Sequence, residues 1–182
     1  MRGASTMSFY ENSYRSVKEF HIAFGLDVDA VWTPALLRLR KKLIAEEYGE
    51  LQDEWHKFPS DRHNQLKETC DLVYVLLGTV ISLGVRPNYE GYGLSVNSTL
   101  NWLDSGLVGD SWEVREALGK HIGATINWLY GGDFSKQVLS DAFQRVHDSN
   151  MSKLVNGQTL RDEDGKVLKG PNYRPCDLSD LV

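Results

Sequence analysis

The sequence predicts an all-α fold, a helical bundle with a paired-helix acidic metal site and a small C-terminal hairpin or extended arm. Three observations predict it. Apolar residues recur at helical spacing between capping and stop residues over most of the chain. Asn-Gly and Asp-Gly turn dipeptides among Val, Thr and Leu follow Leu154. Two acidic clusters with helical spacing flank one short connection, in "LIAEEYGELQDEWHKFPSDRHNQLKETCDLVYVLLG", Leu43 to Gly78.

The elements follow in order. "YRSVKEFHIAFG" places Val17, Phe20 and Phe24 on one face, and Gly25 is a stop signal. "LDVDAVWTP" is a connector in which Thr33 caps and Pro34 opens a long helix running to about Phe58. Its expected apolar stripe is Leu36, Leu39, Leu43, Tyr48 and Leu51. Ser60 is the expected cap of the next helix, which ends at Leu83 before Gly84. So short a turn predicts antiparallel neighbours, with the two acidic clusters facing each other. Arg86 to Asp110, rich in Gly, Asn, Ser and Tyr, reads as irregular. "SWEVREALGKHIGATINWLYGG" reads as a helix. Asp133 is the expected cap of the last one, with Phe134, Val138, Ala142 or Phe143, and Val146 in period. Asn156-Gly157 and Asp164-Gly165 are hairpin signals in the arm.

The 182 residues are 41% hydrophobic and 25% charged, enough for one domain (1–182) with a real core. A net charge of -5 argues against a nucleic-acid polymer as partner. The longest apolar run, Leu72 to Leu83, is too short for a bilayer and reads as a buried helix, so no membrane role is expected. Two cysteines, Cys70 and Cys176, are too few for a disulfide framework and point to a reducing, cytoplasmic setting. The opening "MRGAST" has no apolar character and is set aside from the fold, with Met7 a candidate native start.

Glu46, Glu47 and Glu50 precede one apolar face, and Glu68 and Asp71 run into another. Like charges three or four residues apart on a helix repel, and a buried carboxylate without a partner costs still more. A divalent cation removes both penalties, and all-oxygen ligands suit Mg²⁺ first and Mn²⁺ next. Mg²⁺ normally joins a few carboxylates to substrate phosphates, which points to phosphate-ester or phosphoanhydride chemistry. Such pairs are also common as solvated faces. Two of them on adjacent helices, the second against an apolar run, favour the metal. No Glu-x-x-His motif supports a di-iron site. His21, His56, His63, His121 and His147 lack zinc-ligand grouping and read as surface or packing residues.

Glu47-x-x-Glu50 followed by Glu68-x-x-Asp71 resembles the signature of the all-α nucleoside triphosphate pyrophosphohydrolases, which include MazG-like enzymes, dimeric dUTPases and phosphoribosyl-ATP pyrophosphohydrolases. "VKEFHIAFG", "VHDSNMSKL" and "DGKVLKGPNYRP" look like MazG-like segments of phages and bacteria. The resemblance implies a homodimer or homotetramer that hydrolyses a nucleoside triphosphate between its α and β phosphates with Mg²⁺, for nucleotide-pool control or DNA precursor supply. dGTP and dUTP are both open. It implies Glu47, Glu50, Glu68 and Asp71 as metal ligands and Glu46 as the residue that orients or deprotonates the attacking water. It also implies Asn150, Lys153, Lys169 and Tyr173 as substrate contacts, the last two on the phosphate tail. In a phage-encoded protein the setting would be the host cytoplasm.

One departure from the pattern is an inserted segment at about 86–137, with Trp102, Trp112 and Trp128, ahead of a C-terminal arm at about 154–182. Packing is the expected use of Trp102, and base stacking the alternative. Hydrolysis of a phosphoribosyl-nucleotide ranks below a nucleoside triphosphate because of this segment and the "SNMSK" arm. The rival from another class is a non-catalytic helical scaffold with the carboxylates ion-paired to Arg38, Arg40, Lys41 and Lys42.

Overall fold

The computed structural model describes residues 6–161 and 167–182, and side chains from Phe9 onward. Its elements are α1 (Thr6–Ala23), α2 (Pro34–His56), α3 (Arg62–Leu83), α4 (Val96–Gly106), α5 (Trp112–Tyr130) and α6 (Lys136–Met151). The described residues form no extended strand, so the fold is all-α.

Helix α3 is the centre. From Leu72 to Leu83 only Val75 escapes full burial, as a helix apolar on all sides must be. It packs against α1, α2, α5 and α6, and α2 also packs against α4. One apolar core runs through all six helices. Gly84 ends α3 in the left-handed conformation (φ 61°) and donates its amide back to Ile81 and Val80, as the stop signal predicts.

Several boundaries differ from expectation. The α3 cap is Asp61, whose carboxylate accepts from the Asn64 amide, and the α6 cap is Ser135, which accepts from Val138. Ser60 and Asp133 lie one and two residues too early to make these bonds. Helix α1 begins eight residues before Tyr14, because Phe9 and Tyr10 stack on Tyr130 and Tyr89 respectively. That contact is invisible to local pattern. Thr33 does cap α2, accepting from Leu36.

The α2 stripe is rotated from the expected one. Leu36, Leu37, Ile44 and Leu51 are buried and Leu39 is 48% exposed. Arg40, 6% exposed, occupies a position in the apolar face, so an apolar count misplaces that face. Its guanidinium donates to Thr79 Oγ1 at 3.2 Å and to the Val75 carbonyl at 3.1 Å. Such bonds are what make a buried cation tolerable.

The segment read as irregular contains α4. Its cap Ser95 makes no side-chain bond to the helix. Before it, the chain passes close over α5, where a side chain at Gly123 would collide with the Asn88 carbonyl. Trp102 packs partly buried against the core, Trp112 is exposed, and Trp128 meets Trp55 edge-on.

After α6 the chain is extended. Asn156 and Gly157, both at positive φ, make a two-residue turn closed by two Val155–Gln158 bonds of 2.9 Å. An isolated bridge joins Arg161 to Val167. The Asp164-Gly165 signal lies outside the described residues. The last residues return along α6, where Ser149 Oγ donates to the Arg174 carbonyl, the Arg174 amide donates to Ser152 Oγ, and Arg145 pairs with Asp180. Cys70 is buried and Cys176 half-buried, and both are free thiols. No described helix is long and apolar enough to cross a membrane.

Candidate active site

The antiparallel packing of α2 on α3 sets Glu47 and Glu50 opposite Glu68. One carboxylate oxygen from each lies within 4.8 Å of the others. Glu68 is 8% exposed, and its Oε2 has no hydrogen-bond partner. Burial raises the Glu68 pKa, with Asp71 and Glu50 adding to the effect against the Lys67 bond. Burial likewise pushes Glu47 up to about 8, helped by Asp71, Glu50 and Glu68 and opposed by Lys67. Both shifts favour the protonated form, and a bound cation would oppose them.

Asp71 lies outside the convergent trio, near enough for its charge to act on Glu47. Its Oδ2 accepts from Lys67 Nζ at 2.8 Å, and the same ammonium donates to Glu68 Oε1 at 2.8 Å. Burial works against the Lys67 charge, but Asp71 and Glu68 outweigh it and raise its pKa.

These residues form one wall of a cleft of about 490 Å³. Glu47, Glu50, Lys67 and Asp71 line the α2–α3 side. Asn150, Lys153, Lys169 and Tyr173 line the other, from the end of α6 and the tail. Lys153 Nζ donates to Asn150 Oδ1 at 2.7 Å, and burial lowers the Lys153 pKa. Lys169 Nζ sits 4.7 Å from the Tyr173 ring centroid. The cleft therefore has an acidic wall facing a basic one, with Phe20, Leu43, Tyr74 and Val146 as apolar lining. Tyr74 Oη is bonded to His147 Nδ1 at 3.0 Å, and a ring edge of Phe20 meets Tyr74.

Of the nine residues singled out from sequence, seven line this cleft, and Glu68 lies buried within 4.8 Å of Glu47 and Glu50. Glu46 does not line it. Its side chain is 52% exposed and lies 3.8 Å from Lys42. The basic partners assigned to the scaffold reading are elsewhere: Lys41 pairs with Asp104 and Arg40 bonds to α3, so of the four only Lys42 pairs with one of the five acids. Sequence reasoning passed over Lys67, though its spacing to Asp71 (i, i+4) is a legible signal. It also missed Tyr74 and Phe20 as cleft residues, since an aromatic in a core-facing stripe has no local mark of lining a pocket.

Residues 17–89, which run from the middle of α1 through α3, match the family model described as phosphoribosyl-ATP pyrophosphohydrolase. The match contains all four carboxylates of the two motifs and stops before α4. An uncharacterised protein of Acanthamoeba polyphaga mimivirus is 27% identical over 191 aligned positions, covering 82% of this chain and 74% of that protein. No solved structure matches the chain.

The donor set suits a hard divalent cation. It is all carboxylate oxygen, three ligand atoms converge, and the buried, partnerless Glu68 Oε2 is left without compensation by the protein alone.

Proposed function

We propose that the protein hydrolyses a nucleoside triphosphate, or a closely related nucleotide, between the α and β phosphates, releasing pyrophosphate. The observation that carries this reading is Glu68. A buried carboxylate oxygen with no partner stands beside two more carboxylates, in a cleft whose opposite wall carries two lysines. The similarity of residues 17–89 to the phosphoribosyl-ATP pyrophosphohydrolase model supports it.

In this reading Glu47, Glu50, Glu68 and Asp71 hold Mg²⁺, for which Mn²⁺ substitutes. When bound, the metal supplies Lewis-acid polarisation of phosphate oxygens and a nucleophilic water. Lys153 and Lys169 stabilise the charge on the phosphate chain, at a site whose partial burial strengthens each contact. Asn150, held by Lys153, and Tyr173 position the substrate. Phe20 and Tyr74 offer apolar area to a base. Glu46 serves as water-orienting base only if its side chain leaves Lys42 for the cleft. The protein acts as one domain and as a homo-oligomer, and its products serve nucleotide-pool control.

A second reading shares the bond cleaved: a phosphoribosyl-nucleotide as substrate, favoured by the description of the matching family. One panel separates the two. The purified protein is incubated with each common NTP and dNTP and with phosphoribosyl-ATP, plus Mg²⁺ or Mn²⁺, and products are resolved by ion exchange. A monophosphate with pyrophosphate from a triphosphate supports the first reading. Turnover of phosphoribosyl-ATP alone supports the second. Turnover of none removes both.

A further inference from the structure

Lys67 occupies a position that the metal reading leaves unexplained. Its ammonium bridges Glu68 Oε1 and Asp71 Oδ2, both at 2.8 Å, so it already acts as a cation for half of the four-carboxylate set. Glu47, Glu50 and Glu68 converge, and Asp71 beside them accepts from Lys67. An ion coordinated by all four residues brings a second positive charge onto the two carboxylates whose Oε1 and Oδ2 the lysine already holds. Two cations cannot both sit on these oxygens without repelling each other. Lys67 is free to move: its side chain is 42% exposed, it lines the cleft, and its remaining contacts are these two carboxylates. Released, it stays on the cleft wall facing Lys153 and Lys169, where the phosphate chain would lie.

We propose that Lys67 is a displaceable internal counter-ion: it neutralises Glu68 and Asp71 in the metal-free protein, and passes its ammonium to the substrate's phosphate chain once a divalent cation takes those carboxylates. The proposal rests on the pyrophosphohydrolase reading for its second half only. It gives the site an order of events. Metal entry frees a positive charge, and that charge then adds to polyphosphate affinity. An ammonium on a flexible stem suits such an exchange, because it binds as a point charge without a fixed geometry.

The test uses the full chain with Lys67→Met and Lys67→Arg, both conservative in volume at a half-exposed position. Titration calorimetry with MnCl₂ alone reads the first half. Titration with inorganic tripolyphosphate at saturating Mg²⁺ reads the second, independently of the base. Lys67→Met is expected to bind Mn²⁺ about tenfold tighter and tripolyphosphate about tenfold weaker, the scale of one charge-assisted hydrogen bond. Lys67→Arg is expected to restore most of the tripolyphosphate affinity. Opposite signs in the two titrations are the signature, since a merely structural lysine would not move them apart. Unchanged or weaker Mn²⁺ binding in Lys67→Met overturns the displacement. Tighter Mn²⁺ binding with unchanged tripolyphosphate binding overturns the transfer. A wild type that takes Mn²⁺ but no tripolyphosphate removes the transfer and the pyrophosphohydrolase reading, while the Mn²⁺ comparison still decides the displacement. A wild type that takes no Mn²⁺ overturns the whole proposal.

Discussion

Replacing Glu68 by Gln tests whether the acidic wall is built for a cation. The side chain is 8% exposed and Oε2 lacks a partner, an arrangement that costs about 1–3 kcal/mol for one buried polar atom. Carboxylate oxygens of Glu47 and Glu50 lie within 4.8 Å, where each charged pair at an effective dielectric near 20 repels by about 3 kcal/mol before solvent screening. Glu47, pushed up to about 8, is largely protonated at neutral pH, which leaves Glu50 as the main repelling partner. Gln keeps the shape, keeps an acceptor for Lys67 and supplies a donor in place of Oε2. The Lys67 bond weakens when its acceptor loses charge, offsetting about 1 kcal/mol of the gain. The metal-free Glu68→Gln protein should therefore be more stable than wild type by about 1–3 kcal/mol, a rise in Tm of about 2–12 °C. Saturating Mg²⁺, at about 100 times Kd, should stabilise the wild type by about 2.7 kcal/mol and the variant far less. Scanning calorimetry with EDTA and with Mg²⁺ gives all four melting points. A Glu68→Gln protein that melts lower than wild type in EDTA, or gains as much from Mg²⁺, would show that Glu68 is a structural residue and refute the reasoning.

Other perturbations have defined outcomes. Glu50→Gln or Asp71→Asn should lower turnover by at least about 10³-fold, with the far-ultraviolet circular dichroism unchanged, because metal-assisted phosphate chemistry fails without its ligands; near-wild-type rates would remove these residues from the metal site. Glu46→Ala should lower kcat more than Mn²⁺ affinity, and equal losses would make Glu46 a ligand. His21 is 2% exposed; burial, with the Arg40 guanidinium adding to it, holds its pKa down to about 4, against the bond between its Nδ1 and the Asp27 carbonyl. The unfolded chain takes up a proton near pH 6.5 and the folded one only near 4. Stability from the neutral ring is thus fully present above about pH 6.5 and falls, by at most about 3 kcal/mol, as pH drops towards 4. Urea midpoints across that range should drop less steeply for His21→Gln, and parallel slopes would contradict the assignment.

Helix existence was legible wherever a stripe, a cap and a stop coincide. Thr33-Pro34, Gly84 and Ser111 bound helices as local chemistry demands. Helix α4 was not legible, since its eleven residues sit in a stretch rich in Gly, Asn, Ser and Tyr and bury only Val96, Thr99, Leu103 and Gly106. The α2 face was misplaced because Arg40 sits where an apolar residue was expected. Hydrogen bonds to Thr79 and Val75, which only α3 can supply, make that burial tolerable. The start of α1 depends on Tyr89 and Tyr130, about eighty to one hundred and twenty residues away.

The sequence by itself determined that Glu47 shares a helix face with Glu50, and Glu68 with Asp71, because three residues are close to one helical turn. It also determined that these faces adjoin on neighbouring helices, since the connection between α2 and α3 is too short for any other arrangement. Tertiary packing decided the rest. It buried Glu68 while leaving Glu46 in solvent, and brought Lys153, Lys169 and Tyr173 across from the far end of the chain. Periodicity is a property of adjacent turns, whereas the protonation of a carboxylate and the facing of two walls depend on what other helices exclude from water.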